Sequence, residues 1–242
     1  MAKLKPIPAP QALLRLVQGN KRFVKNRNTG LLAGHRDSRK LLLKSRGPFA
    51  IVLSCSDSRA PSEILFDQGL GDLFIIRVAG NVVAPSLIGS VEFAAATTLA
   101  RLVVVMGHTE CGAIQATFDS IDGKKALPAE HVKDIVERIR PHVQHLAKGK
   151  QTPTKRREML REAVRVNVLA SAHHLRHGSR FLEEKVSSGE VLIVGGVYDI
   201  ETGDVDFFDI PPETEATLFK RATQKTATAK TATTKTATAK KS

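Results

Sequence analysis

The sequence contains no tryptophan, one tyrosine and only two cysteines among 242 residues. Cys55 and Cys111 lie far apart, so they do not form the framework of a small disulfide-stapled secreted domain. No stretch reaches the roughly 18 uninterrupted apolar residues of a membrane-spanning helix, and the first thirty residues carry prolines instead of a signal-peptide apolar run. These absences predict a soluble cytoplasmic protein whose cysteines serve metal binding or catalysis.

Acidic residues are absent from the last part of the chain. Residues 219–242 hold seven basic side chains in a repeat of Thr, Ala and Lys, and contribute much of the formal net charge of +13. The repeat offers almost no large apolar side chain to bury, which is typical of disorder. The sequence therefore predicts one globular domain over residues 1–218 and a basic, disordered tail over residues 219–242.

Short, continuously apolar runs alternate with helix-like segments through most of the globular part. Continuous apolarity is typical of strands buried on both faces of a parallel sheet. The runs span residues 49–54, 73–78, 102–106 and 191–194, and the helix-like segments span residues 62–66, 87–101, 130–146 and 156–176. This alternation predicts an α/β fold with a central, mainly parallel β-sheet flanked by helices.

The ends of the domain carry further elements. Residues 11–25 predict an N-terminal arm of one or two amphipathic helices, with Gly19 and Asn20 weakening the middle. Residues 27–47 predict a basic loop around a short helix at 38–44. Residues 197–208 predict a strand, a turn and a second strand that close one edge of the sheet.

Side chains with catalytic chemistry follow two of the predicted strands. Cys55, Asp57 and Arg59 follow the first apolar run, and His108 and Cys111 follow the third. Open α/β folds place ligands at the carboxyl ends of their parallel strands, so these side chains should meet there. Two thiolates and one imidazole leave the fourth tetrahedral position of a zinc ion open, which is typical of catalytic zinc.

Two local features favour such a site. Residues 112–118 are compatible with a helix, and a helix amino terminus would favour a thiolate at Cys111. Asp57 and Arg59 are two residues apart and should lie on one side of an extended segment, where they would form a charge-assisted pair. A carboxylate held in this way can orient a nucleophile.

The motifs CSDSR at residues 55–59 and HTECG at residues 108–112 resemble the signature of the β-class carbonic anhydrases. Segments 19–23, 61–81, 89–94 and 195–199 are also similar to that family, so the resemblance covers residues 10–210. It implies reversible hydration of carbon dioxide to bicarbonate and a proton by a zinc-bound hydroxide, a lyase reaction. It further implies Zn²⁺ held by Cys55, His108 and Cys111, an adjacent dyad of Asp57 and Arg59, and homodimers or dimers of dimers that share active-site walls.

The resemblance also implies a substrate pocket. Its residues would be Phe74, Ala79, Phe93 and Gly112, with Arg46 at the position where many members place a bicarbonate-binding Gln. Phe93 stands where plant members have Tyr, and Ala60 replaces a commoner Val.

Some bacterial members have a regulatory bicarbonate site built from Trp, Arg and Tyr. Arg77 and Tyr198 match two of these positions, but Val52 occupies that of Trp. This regulation is therefore predicted to be absent or weakened.

Alternative functions follow from the same residues. Carbonyl sulfide or carbon disulfide hydrolysis would use the same chemistry on the same fold. The basic tail, which has no aromatic residue within its repeat, could bind an anionic polymer or nucleic acid weakly and without sequence preference. A phosphatase loop does not fit, because only three residues separate Cys55 from Arg59, and a redox pair would more often be CxxC. His142 and His145 lie three residues apart and His173 and His177 four apart on predicted helices, a spacing that would allow a second metal site. The neighbouring Lys and Arg favour solvated helix faces instead.

Overall fold

The computed structural model describes residues 5–29, 47–123, 126–147 and 152–216. The chain divides into two units, Met1–Asp209 and Ile210–Ser242. Within the described part of the second unit, residues 212–216 form a short helix. Arg46, the predicted helix at 38–44 and the tail at 219–242 lie outside the described residues.

The first unit is built on a five-stranded sheet in the order β2-β1-β3-β4-β5. Its strands are β1 (Ala50–Ser54), β2 (Leu73–Arg77), β3 (Leu102–His108), β4 (Leu192–Tyr198) and β5 (Val205–Phe208). The first four strands run parallel, and β5 pairs antiparallel with β4. Every residue of β1 and β3 is buried. The mainly parallel sheet expected from the continuous apolar runs is confirmed.

Seven helices accompany the sheet in the described part of this unit. They are α1 (Ala9–Val24), α2 (Ser62–Leu65), α3 (Pro85–Thr97), α4 (Gly112–Ile121), α5 (Val132–Val143), α6 (Pro153–His177) and α7 (Arg180–Ser187). A 3-10 turn, Ala79–Asn81, follows β2. Sequence periodicity missed α7, which begins where the Ser179 hydroxyl accepts a hydrogen bond from the Leu182 amide. None of the helices in the described ranges is long and apolar enough to cross a membrane.

The N-terminal arm is a single unbroken helix, and its weak central residues have a packing role. A Cβ at Gly19 would lie 1.7 Å from the Phe66 carbonyl oxygen, so only glycine permits this close approach. The Asn20 side chain donates to the Gly203 carbonyl oxygen at 2.9 Å and accepts from the Val205 amide at 2.9 Å. Tertiary contacts therefore favour these two residues over better helix formers.

The edge hairpin differs from its prediction in one respect. Residues 191–194 and the strand predicted to begin at Val197 belong to one strand, because β4 continues through Gly195 and Gly196. A Cβ at Gly195 would lie 2.5 Å from the ring of Phe208, so glycine at this position leaves room for that side chain of β5. The two glycines do not interrupt β4. The edge position of β5 is as predicted.

Helix α3 also differs in its end. It stops at Thr97 rather than at Arg101, because the backbone of Thr98 is extended, with φ of −117° and ψ of 178°. The Thr98 hydroxyl donates to the Ala94 carbonyl oxygen at 2.7 Å. The Arg101 guanidinium then donates to the Ala100 carbonyl oxygen at 2.8 Å. The chain thus turns directly into β3.

Candidate metal centre

Two thiols and one imidazole meet at the carboxyl ends of β1 and β3. Cys55 follows β1, His108 is the last residue of β3 and Cys111 directly precedes α4. One ligand atom from each lies within 4.8 Å of the others, and all three side chains are buried. The parallel register pairs Ser54 with Met106, which brings both loops to the same sheet edge.

The geometry of His108 suits a metal ligand. Its Nδ1 lies 2.8 Å from the Thr109 carbonyl oxygen, a contact that places the proton on Nδ1. Its Nε2 is buried and has no hydrogen-bond partner. A buried ring nitrogen with an unused lone pair carries a desolvation cost that a bound cation would remove. The orphan nitrogen therefore fits a metal site.

The two thiols also fit a cation. The hydrogen bond with Cys111 is the main influence that lowers the pKa of Cys55 to about 4, against the opposing effect of burial. The same contact with Cys55, together with burial, raises the pKa of Cys111. The backbone N–H groups of Ala113 and Ile114 at the start of α4 oppose this rise in the pKa of Cys111, in the direction expected for a thiol at a helix amino terminus. A divalent cation would allow both to ionise, and the N and S donor set suits zinc.

Asp57 and Arg59 form the predicted pair beside this group. The guanidinium donates to both carboxylate oxygens, at 2.9 and 2.8 Å, and the Arg59 amide donates at 2.9 Å. These hydrogen bonds hold the pKa of Asp57 well below its usual range. Asp57 Oδ2 lies 3.9 Å from His108 Nε2. The segment is a turn rather than extended, because the Ala60 amide donates to the Asp57 carbonyl oxygen at 3.0 Å.

Comparisons with known proteins place this geometry in a family. Residues 50–205 match the family model described as carbonic anhydrase. The chain belongs to the carbonic anhydrase family. The carbonic anhydrase of Mycolicibacterium smegmatis is 35% identical over 206 residues, which cover 85% of this chain and 95% of that protein.

Similar solved structures identify the class of carbonic anhydrase whose fold this chain shares. The β-carbonic anhydrase CcaA superposes with a TM-score of 0.62 at 26% identity, covering 81% of this chain and 95% of that one. A structure from a study of two tetrameric β-carbonic anhydrases of Sordaria macrospora has a TM-score of 0.60 at 20% identity, covering 71% and 86%. The chain is thus a carbonic anhydrase of the β class.

The predicted pocket residues of this carbonic anhydrase lie in three different surroundings. Ala79 and Gly112 are the chain neighbours of Gly80 and Cys111, next to the thiols. Phe74 lies in β2 and packs against the core of the sheet. Phe93 lies on α3 and is 61% exposed, so the described part of the chain leaves it largely uncovered.

Two supporting residues of the carbonic anhydrase site were missed by sequence reasoning. Arg77, which the family resemblance links only to a regulatory site, donates to the Cys55 and Asp57 carbonyl oxygens at 2.9 and 2.5 Å. Asn167 on α6 donates to the Gly80 carbonyl oxygen at 2.8 Å, and the Gly80 amide donates to Cys55 Sγ at 3.3 Å. Asn167 lies 87 residues from Gly80, and no local motif marks it.

Proposed function

We propose that this chain catalyses the reversible hydration of carbon dioxide to bicarbonate and a proton, with Zn²⁺ held by Cys55, His108 and Cys111. The observation that carries the proposal is the convergence of two thiols and an unpartnered imidazole nitrogen, in a member of the carbonic anhydrase family. Zinc in such a site would lower the pKa of water from about 15.7 toward about 7 and so supply a nucleophile at neutral pH.

Asp57 would orient the reacting water. Arg59 keeps the carboxylate ionised and fixes both of its oxygens, so Asp57 can only accept a hydrogen bond. By accepting a hydrogen bond from the reacting water or hydroxide, Asp57 would direct an oxygen lone pair toward the carbon of carbon dioxide. Arg77 would hold the main chain of the same turn in place through the Cys55 and Asp57 carbonyl oxygens. Arg59 and Arg77 are thus positioning residues for Asp57.

The substrate pocket would be completed by a second copy of the chain. Phe74, Ala79, Phe93 and Gly112 form the proposed lining, with Arg46 as a further anion contact. Phe93 supports a shared pocket, because a ring exposed to 61% of its surface on α3 is available to a partner. A homodimer or a dimer of dimers fits this exposure, and a cytoplasmic location remains part of the proposal.

The family match and the relatives favour this function over the alternatives. The relative that matches 85% of this chain is named a carbonic anhydrase, whereas a nucleic-acid contact of the tail has no support from the comparisons. The buried Val52 at the position of the regulatory Trp supports the expectation that bicarbonate regulation is absent or weakened. A flat activity profile across bicarbonate concentrations at fixed pH is the expected result, and steep cooperative inhibition would contradict it.

Stopped-flow hydration of carbon dioxide by the zinc-loaded protein tests the proposal. We expect rapid turnover that follows zinc content, and loss of both zinc and activity in Cys55→Ala. His145→Ala, which changes an exposed residue outside the group, is the matched control and should remain active. Carbonyl sulfide and carbon disulfide are assayed in parallel. Turnover that is independent of zinc, or faster with either sulfur compound, would overturn the proposal.

A further inference from the structure

Four of the eight histidines meet in one surface cleft, away from the Cys55 group. The cleft has a volume of about 460 Å³ and lies beside α5 and the carboxyl end of α6. Its lining residues are His142, Ala170, His173, His174, His177 and Gly178. The sequence alone favours solvated helix faces over a second metal site for these histidine pairs, whereas the structure gathers four histidines of α5 and α6 around a common space.

His173 and His177 are spaced so that both could bind the same metal ion. They lie four residues apart on α6, so their side chains extend from the same face of the helix. Their ring centroids are 4.5 Å apart and the rings are inclined by 46°. Two histidines at this spacing on a helix can bind one transition-metal ion, as in zinc proteases. Imidazole nitrogens suit zinc, copper and nickel, whereas magnesium and calcium prefer oxygen.

A carboxylate supports one member of this pair. His177 Nδ1 lies 3.2 Å from Glu183 Oε1 on α7. Metal-binding histidines commonly donate their second ring N–H to a carboxylate, which fixes the tautomer and makes the other nitrogen a better ligand. The Glu183 contact therefore leaves Nε2 of His177 for a cation. This arrangement is more specific than two adjacent histidines alone.

His142 and His174 add two further imidazole rings to the cleft lining. Burial, and next the nearby His174, lower the pKa of His142. A Cβ at Gly178 would lie 2.6 Å from His174 Cδ2, so glycine leaves room for that ring. Water would complete the coordination of an ion held by His173 and His177.

We propose that this cleft is a second binding site, for a divalent transition-metal ion, with His173 and His177 as ligands and Glu183 as the residue that positions His177. The site shares no residue with the Cys55, His108 and Cys111 group. It therefore does not depend on the proposed hydration activity.

Nickel binding tests this second site. The full chain without an affinity tag, with its zinc content measured, is titrated with Ni²⁺ in an isothermal calorimeter. We expect one Ni²⁺ per chain, with affinity at least tenfold weaker in His173→Ala and in His177→Ala. Removal of a supporting carboxylate typically lowers metal affinity about 10- to 100-fold, so Glu183→Gln should fall within that range.

His145→Ala is the matched control, because this exposed histidine lies outside the cleft lining. It should bind Ni²⁺ as the parent does, and all variants should keep the parent's zinc content and hydration rate. Unchanged Ni²⁺ affinity in a His173→Ala and His177→Ala double variant would overturn the proposal. Equal weakening in His145→Ala would also overturn it, because it would indicate diffuse binding to surface histidines.

Discussion

Asp57 is the residue whose geometry constrains the chemistry most. Both carboxylate oxygens accept hydrogen bonds from Arg59, and one also accepts from the Arg59 amide. The same guanidinium also donates to the Glu110 carbonyl oxygen at 3.1 Å, which links the turn to the loop that carries Cys111. The carboxylate therefore keeps its position relative to His108 without being one of the clustered ligands.

Replacement of Asp57 by Asn tests this role. The amide nitrogen cannot accept a hydrogen bond from Arg59, so the side chain would lose both its charge and its orientation. We expect kcat/KM for carbon dioxide to fall about 10- to 100-fold at unchanged zinc content, measured by stopped flow and metal analysis. Ser58→Ala, at the exposed neighbouring position, should behave as the parent. Unchanged turnover in zinc-loaded Asp57→Asn would remove the dyad from the mechanism.

At the scale of elements, Asp67 fastens the N-terminal arm to the turn after α2. Its carboxylate accepts from Arg22 Nε at 2.5 Å and from the Thr29 amide at 2.9 Å. Burial raises the pKa of Asp67, but the hydrogen bonds from Arg22 and Thr29 outweigh it, so the pKa lies below its ordinary value. The ionised form is thus stabilised in the folded protein.

Asp67→Asn should lower the free energy of unfolding at pH 7 by about 2 kcal/mol, the scale of hydrogen bonds to a charged group. Because the folded pKa is depressed, the contribution is complete above the unfolded value of about 3.9 and is lost as pH falls through the folded value. Urea unfolding from pH 7 to pH 3 should show the gap from the parent closing in acid. Glu201→Gln, at a side chain 85% exposed, should show no such gap. A gap that persists in acid would contradict the assignment.

Helix α6 reaches the metal centre through Asn167. The Asn167 amide holds the Gly80 carbonyl oxygen, and Gly80 directs its N–H at the sulfur of Cys55. Gly80 has a φ of 69°, and a Cβ there would lie 2.9 Å from Ala113 and Ile139 side chains. The turn therefore depends on glycine and on its anchor to α6.

Asn167→Ala should weaken zinc binding about tenfold, because outer-shell contacts to metal ligands contribute on that scale. Zinc affinity is measured by competition with a chromogenic chelator. Asn20→Ala is the matched control, since Asn20 is an equally buried amide that holds α1 to the β5 hairpin. Both variants should unfold at lower temperature, but only Asn167→Ala should lose zinc affinity. Equal zinc affinity in the two would show that Asn167 has only a structural role.

The elements show why some features could be predicted from the sequence and others could not. The β1 and β3 runs were recognisable because burial on both faces requires continuous apolarity, and the ligands followed them directly. The extension of β3 to His108 could not be recognised in the sequence, because it depends on Gly107. A Cβ at that position would lie 2.8 Å from the Val168 side chain on α6. The close approach of α6 to β3 is a tertiary contact, which the local sequence does not reveal. The role of Asn167 also depends on a tertiary contact, its hydrogen bond to Gly80.

At the scale of the whole molecule, α3 exposes an aromatic side chain that the described part of the chain leaves largely uncovered. Phe93 is 61% exposed there, and β2 forms an outer strand of the sheet. Phe93→Asp should therefore shift the assembly toward monomers, measured by size exclusion with light scattering, and should lower hydration activity with it. Leu169→Asp, at a leucine on α6 that is 38% exposed, should leave the assembly intact. A parent protein that is monomeric, or a Phe93→Asp variant that assembles normally, would contradict the shared pocket.

The basic tail can be separated from catalysis by truncation. The family match ends at residue 205 and the ligand group lies before it, so a chain ending at Leu218 should keep its zinc content and its hydration rate. Any affinity for DNA should instead follow the seven basic side chains of the tail, since counterion release makes such binding weak and strongly salt-dependent. Retention on DNA-cellulose at low salt should disappear on truncation. It should also disappear in a full-length variant with those seven residues changed to Gln, which separates charge from length. Equal retention by the truncated chain would place the anion-binding surface in the catalytic domain.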